Sequence, residues 1–329
     1  MRVLFAGSPA IAVPAFESLF CELCRNENIE AAALLTNTDT PKGRHRSGAA
    51  GAPIPTETAE AALKIAAAAG LSFPILKPQK LDASVREEIA ALKPDLLVSF
   101  AYGRIFGPKF LALFPLGGIN IHPSLLPKYR GATPIQAAIL NREKVTGITI
   151  QTLAPEMDAG DILMQEQFPL SGKETTGSLS EIMAEKAAAM LPEILSNIKK
   201  GTASRKPQNH NLASYCSLIV KDDAVINWNC GAVEIEAKIR AFDPWPVCRT
   251  IHNGRELLLL ESDIKKSENC QDAGMPGLVL GTDKQDGILV QTGNGILAVK
   301  KLQYQAKKAL MWQDFLNGAR GFIGSQLGG

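Results

Sequence analysis

Gly117-Gly118-Ile119-Asn120-Ile121-His122-Pro123-Ser124-Leu125-Leu126-Pro127 reads as a short strand brought to a stop by a proline. Side chains alternate along a strand, so Ile119 and Ile121 face one way and Asn120 and His122 the other. Both polar groups therefore emerge together at the carboxyl end of the strand. Working back from it, apolar runs alternate with helical patterns: strands at 3–6, 29–35, 73–76 and 95–100, helical stretches at 13–24, 57–69 and 82–92. Forward lie a helix at 135–140, a strand at 147–153 and a helix over 175–200 interrupted by Pro192. Strands alternating with helices predict an α/β domain, Rossmann-like, with a mostly parallel sheet flanked by helices. Its site belongs at the carboxyl ends of the strands.

The character changes after Lys200. Residues 201–211 are polar and rich in breakers, a linker by composition. Beyond it a helix at 231–242 and short strands at 247–252, 257–260, 278–280, 288–291 and 296–302 predict a small OB-like β-barrel. The expected division is thus 1–200, a linker at 201–211, and 212–329.

Composition excludes several classes. Apolar residues make up 46% and charged residues 21%, ordinary globular usage. A net charge of +2 gives no overall pull toward nucleic acid, so any polyanion must be held by local clusters. Six cysteines in 329 residues do not make a disulfide scaffold, and Cys21 and Cys24 have no second pair for a zinc site. Gly7, Pro9 and Pro14 break the apolar start, and no apolar run of membrane-spanning length exists, so a cytoplasmic protein is expected. Gly7-Ser8-Pro9 occupies the place of a dinucleotide fingerprint but lacks its glycines, and Pro9 removes an N–H; nicotinamide cofactors are disfavoured.

The chemistry rests on Asn120 and His122. An amide donor beside an imidazole can hold the oxygen of a carbonyl under attack. The competing reading is that both satisfy buried backbone groups. Asp158-Ala159-Gly160-Asp161 follows the next strand and supplies a carboxylate that could orient the imidazole.

Asn120 through Gly131, with Met157-Asp158-Ala159-Gly160-Asp161, resembles the signature of the folate-dependent formyltransferases. Phe5-Ala6-Gly7-Ser8-Pro9, Pro41-Lys42-Gly43-Arg44, Phe100-Ala101-Tyr102-Gly103 and Arg240-Ala241-Phe242-Asp243-Pro244-Trp245-Pro246 resemble the branch that acts on methionyl-tRNA. The resemblance runs from residue 2 to about 320 of the chain. It implies formyl transfer from 10-formyltetrahydrofolate, without a metal, to the amino group of initiator methionyl-tRNA by a monomer with no membrane segment. Asn120, His122 and Asp158 would be catalytic, and Ser124, Leu125, Leu126 and Pro127 the folate-contacting turn. Lys42, Arg44 and Arg46 in the loop 38–53 would meet the tRNA, with that loop ordering over its acceptor end. Lys199, Lys200, Arg205 and Lys206 would add to the same surface, the alternative for them being a solvated linker. The nearest rival is an amino-sugar nucleotide formyltransferase, which shares the catalytic residues; a non-catalytic RNA-binding protein is the rival from another class.

Overall fold

The computed structural model describes residues 1–42, 51–70, 72–265 and 274–328. It consists of two compact units, the first formed by Met1–Pro134, Thr146–Phe168 and Ser180–Cys216, the second by Ile135–Val145, Pro169–Leu179 and Ser217–Gly329.

A seven-stranded sheet organises the first unit. In chain order its strands are β1 (Arg2–Ala6), β2 (Glu30–Leu35), β3 (Ile75–Leu76), β4 (Leu96–Ser99), β5 (Gly118–His122), β6 (Val145–Thr152) and β7 (Ile162–Pro169). Their spatial order is β7-β6-β5-β4-β1-β2-β3. From β3 to β5 every pairing is parallel, and β6 runs antiparallel to β5. This is the Rossmann-like, mostly parallel sheet expected. The order reverses between β1 and β4, which puts a crevice at the carboxyl ends of those strands.

The central strands are buried on both faces: Val3, Leu4, Phe5, Ala6, Leu96, Leu97 and Val98 have no exposed surface. Leu4, Ala6, Leu35 and Leu97 join Ile89, Tyr102, Phe110 and Phe114 in one core cluster. The helix Glu57–Ala69 starts at Thr56, whose hydroxyl accepts from Ala59 N, and stops at left-handed Gly70. Asp82 caps Ala83–Ala91 in the same way.

Four local expectations are revised. The stretch 13–24 is two short helices, Val13–Ser18 and Glu22–Asn26, the second opened by the Cys21 sulfur accepting from Cys24 N. Thr176–Lys200 is the single helix expected, and it runs through Pro192 without interruption. Its buried residues Leu179, Met183, Ala187, Leu191 and Leu195 recur at helical spacing across the proline, and that burial outweighs one missing hydrogen bond. Strand β7 adds to the expected strands: its apolar run, residues 162–164, is three long, and Gln165, Gln167 and Pro169 beyond it are exposed. Within the expected loop 38–53, Thr40–Lys42 pairs antiparallel with Gly51–Ile54, and residues 43–50 lie outside the described ones.

The second unit is an antiparallel half-barrel. Its strands are β8 (Arg249–His252), β9 (Arg255–Ile264), β10 (Val279–Asp283), β11 (Gly287–Gln291) and β12 (Ile296–Tyr304), ordered β8-β9-β12-β11-β10, with Leu310–Met311 added to β12. Register shifts at Leu259–Ser262 and Val279–Gly281 bend the sheet, as bulges do. The helix Ala232–Ala241 packs its buried Ile235, Ala237 and Ile239 face against β9.

Candidate active site

The site lies in the first unit, at the carboxyl end of β5 and along the ladder that it forms with β6. In the ladder between them Asn120 stands opposite Gln151 and His122 opposite Thr149, so four polar side chains share one face. The other face carries Ile119, Ile121, Ile148 and Ile150, all buried. A one-residue slip would exchange the two sets, so burial of the isoleucines fixes where the chemistry points.

After Pro123 the chain turns tightly. Ser124 N donates to His122 O (2.9 Å), and the fully buried Ser124 hydroxyl donates to Lys128 O (2.6 Å). Thr149 Oγ1 donates to Ser124 O (2.7 Å) and accepts from Leu126 N and Gln165 Nε2. Leu126 is buried as well, and its carbonyl accepts from Gln165. The turn Ser124–Pro127 is thus a rigid, internally bonded wall, and the Ser124 hydroxyl serves the turn.

His122 is 4% exposed and touches an acceptor on each ring nitrogen. Nε2 lies 2.8 Å from Tyr129 O, and Nδ1 lies 3.6 Å from Asp158 Oδ2. A carbonyl oxygen at 2.8 Å requires Nε2 to carry the proton, which leaves Nδ1 as the lone pair of the neutral ring. Burial pushes the imidazole below its ordinary pKa, while the Asp158 charge and the Tyr129 carbonyl pull it partly back. The result is a neutral ring whose basic nitrogen sits beside a carboxylate that would stabilise its cation.

Asp158 is held by an unusual backbone and several donors. Its φ is +51°, a left-handed conformation that Asp tolerates better than most residues. Oδ1 accepts from Gln151 Nε2 (3.0 Å) and from Asn120 Nδ2 (3.4 Å), and Oδ2 accepts from Gly131 N (2.8 Å). Two residues on, a Cβ at Gly160 would lie 1.8 Å from Thr152 O, so only glycine permits the loop to close against β6. Asp161 is tied to Thr152 by backbone hydrogen bonds and is not the partner of His122.

Behind Asp158 lies a layer that ties Arg130 of the motif to residues outside it. Gln208, from the segment read as a linker, is 6% exposed. Its Nε2 donates to Asp158 O (2.8 Å), Gly160 O (2.7 Å) and Gln151 Oε1 (3.1 Å). Its Oε1 accepts from Nε and Nη2 of Arg130, which has no exposed surface. Arg130 also donates to the Tyr215 hydroxyl (3.3 Å) and lies 3.7 Å from Glu156. Gln151 was legible: Thr149 and Gln151 interrupt an apolar strand at period two. Gln208 had no sequence signal.

The expected tRNA-facing cations fall in different places. Lys199 donates to Glu27 O, and Lys200 pairs with the Glu27 carboxylate at 2.6 Å. Glu27 precedes Asn28, whose carbonyl accepts from the chain's amino terminus (2.8 Å). These two lysines therefore sit at the amino end of β1, roughly a strand length of 16 Å from the carboxyl ends. Arg205 and Lys206 are exposed, and Lys206 exchanges backbone hydrogen bonds with Ile162, close to the Asp158 loop. Lys42 ends its short strand, while Arg44 and Arg46 lie outside the described residues. Among the described residues no group of three or more His, Cys, Asp or Glu side chains is arranged to hold a metal ion, and no helix is long and apolar enough to cross a membrane.

Comparison with known proteins adds the following. The sequence profile of the Formyl transferase family matches residues 1–195, and that of the Formyl transferase C-terminal domain matches 218–320. A methionyl-tRNA formyltransferase of Treponema denticola is 48% identical over 327 residues, 98% of each chain. Those of Treponema pallidum and Roseiflexus are 39% and 38% identical over the whole of this chain, covering 99% and 95% of theirs. Among solved structures, an N-formyltransferase from Helicobacter canadensis in complex with folinic acid and dTDP-3-aminofucose aligns at TM-score 0.62 and 20% identity, over 91% of this chain and 99% of that one. HypX from Aquifex aeolicus in complex with tetrahydrofolic acid aligns at 0.60 and 18%, over 98% of this chain, which spans 48% of HypX. At such identities the two structures speak for the fold alone.

Proposed function

As this chain belongs to the formyl transferase family, we propose that it moves the formyl group of 10-formyltetrahydrofolate onto the amino group of initiator methionyl-tRNA, for translation initiation. The observation that carries this reading is sequence identity of 38–48% along essentially the full chain to enzymes named for that substrate.

The methionyl amine attacks the formyl carbon, forming the new C–N bond and moving the carbonyl electrons onto oxygen. Asn120 Nδ2, which makes one long hydrogen bond to Asp158, has donor capacity for that oxyanion. Nδ1 of His122 takes the proton of the attacking amine, and Asp158 beside it stabilises the imidazolium. Collapse breaks the bond between carbon and N10; the electrons go to N10, which receives the proton from His122. Tetrahydrofolate and formylmethionyl-tRNA leave with every proton accounted for. Attack needs the reactants fixed against each other, and the bonded turn Ser124–Pro127 supplies an unyielding wall for the folate. Lys42, Arg44, Arg46, Arg205 and Lys206 are the cations assigned to the tRNA; their attraction releases counterions and falls with salt.

The test is formylation of methionyl-tRNA against an amino-sugar nucleotide, each with 10-formyltetrahydrofolate. Turnover of the sugar nucleotide in preference to the tRNA would replace this reading by its rival.

A further inference from the structure

We propose that Gln208 is a positioning residue for the transfer, acting on Asp158 through Gln151, with the buried Arg130 as its anchor. The inference rests on Asp158 being the carboxylate that serves His122.

Hydrogen-bond polarity forces the arrangement. Arg130 has donors and no acceptor, and it is always charged. Two of its N–H groups reach one oxygen of Gln208, at 3.2 and 2.8 Å, so that oxygen is Oε1 and the amide nitrogen must face the other way. There it meets three acceptors within 3.1 Å: Asp158 O, Gly160 O and Gln151 Oε1. Because Gln151 Oε1 is engaged by Gln208, the Gln151 nitrogen is turned toward Asp158 Oδ1, 3.0 Å away. The chain Arg130–Gln208–Gln151–Asp158 thus has one direction. It delivers an N–H to an oxygen that accepts it best when ionised, and it pins the carbonyl of Asp158, a residue held at φ +51°, and that of Gly160 two residues on. Gln208 is the central link: it touches the guanidinium, the Gln151 amide and the Asp158 backbone together.

The discriminating variant is Gln208→Glu in the full-length enzyme. A carboxylate keeps the acceptor for Arg130 and removes the donor, placing oxygen against three oxygens. A residue that merely anchors Arg130 would keep its activity in this variant. The expected result is a kcat at least about tenfold lower, with the KM for 10-formyltetrahydrofolate within about threefold. The acid limb of kcat/KM should move upward, because an added negative charge near the pair favours the imidazolium. Gln151→Met cuts the same chain at its next link and should reproduce the loss of kcat, which keeps the idea testable if Gln208→Glu does not fold. In an Asp158→Asn background, Gln208→Glu should cost less than about threefold more. Retention of more than about half of kcat by Gln208→Glu or by Gln151→Met, an unmoved acid limb, or losses that multiply in the double variant would overturn the inference. If Asp158→Asn itself stays active, it is the catalytic reading that falls, and this inference with it; if Asp158→Asn is inactive and Gln208→Glu is not, only this inference falls.

Discussion

Replacing Gly160 by alanine perturbs the site without touching a reacting group. The added Cβ would stand 1.8 Å from Thr152 O, 2.7 Å from Thr152 C and 2.7 Å from Thr152 Oγ1, against backbone that β6 holds in the sheet. A carbon and a carbonyl oxygen approach no closer than about 3.3 Å, so the loop must retreat by roughly 1.5 Å. Its only freedom is away from β6, which lifts Asp158 from Gln151 and lengthens the 3.6 Å approach to His122. Misplacement on the order of 1 Å in a preorganised site costs about a hundredfold in rate, close to 2.7 kcal/mol. The same clash should lower stability by about 1–3 kcal/mol, the ordinary penalty of overpacking. The assay is steady-state formylation of methionyl-tRNA with parallel measurement of folate affinity and the thermal midpoint. We expect kcat to fall by about two orders of magnitude while folate affinity changes less than about threefold. A variant that folds and keeps kcat within about threefold would refute the claim that the 158–161 loop positions the carboxylate.

Three further outcomes follow from the same geometry. His122→Ala removes the proton acceptor and should reduce kcat by at least about a hundredfold, with little change in folate binding; retention of about a third of wild-type turnover would remove His122 from the mechanism. Burial places the His122 pKa below its ordinary value of about 6.5, so kcat/KM should be level above that pH and fall as acid protonates Nδ1 below it; a rate that climbs as pH drops through this range would contradict a neutral acceptor. Charge reversal of Arg205 and Lys206 should raise the KM for methionyl-tRNA by about tenfold and flatten its salt dependence, whereas the same reversal at Lys199 and Lys200 should change it less than about threefold; equal effects from the two pairs would sink the assignment of the tRNA face to the surroundings of the Asp158 loop.

An amino-sugar nucleotide and methionyl-tRNA both present an amine to the formyl carbon. In the proposed mechanism Asn120, His122 and Asp158 serve a formyl carbon and an amine, which both reactions share, so they cannot separate the two acceptors. Discrimination has to come from groups that reach the rest of the acceptor. Arg205 and Lys206, exposed close to the Asp158 loop, carry the sign of charge that a polyanion requires.

Much of this protein is written locally. The period-two alternation of Gly118–His122 determined both the strand and the face on which Asn120 and His122 emerge, because pleating is a property of a few consecutive residues. Thr56 and Gly70 bound the helix 57–69 through their own side chain and backbone, again without help from distant chain. What tertiary structure decided is the meaning of residues whose partners are far along the sequence. Strand β7 has no buried residue to announce it in the sequence; its place at the sheet edge is what makes it a strand. Ser124, read as a folate contact, spends its hydroxyl on Lys128 once the turn closes. Lys199 and Lys200 looked like part of one basic run with Arg205 and Lys206, yet the end of the long helix sets the first two beside Glu27 and the chain's return sets Lys206 beside Ile162. Gln208 sits in a polar, breaker-rich stretch and ends up among the most constrained side chains of the site, 50 residues from Asp158 in sequence and 2.8 Å from its carbonyl. A periodic pattern reports only whether a side chain faces core or water; which buried donor meets which acceptor depends on how strands and crossovers stack, and that is settled by packing the whole chain.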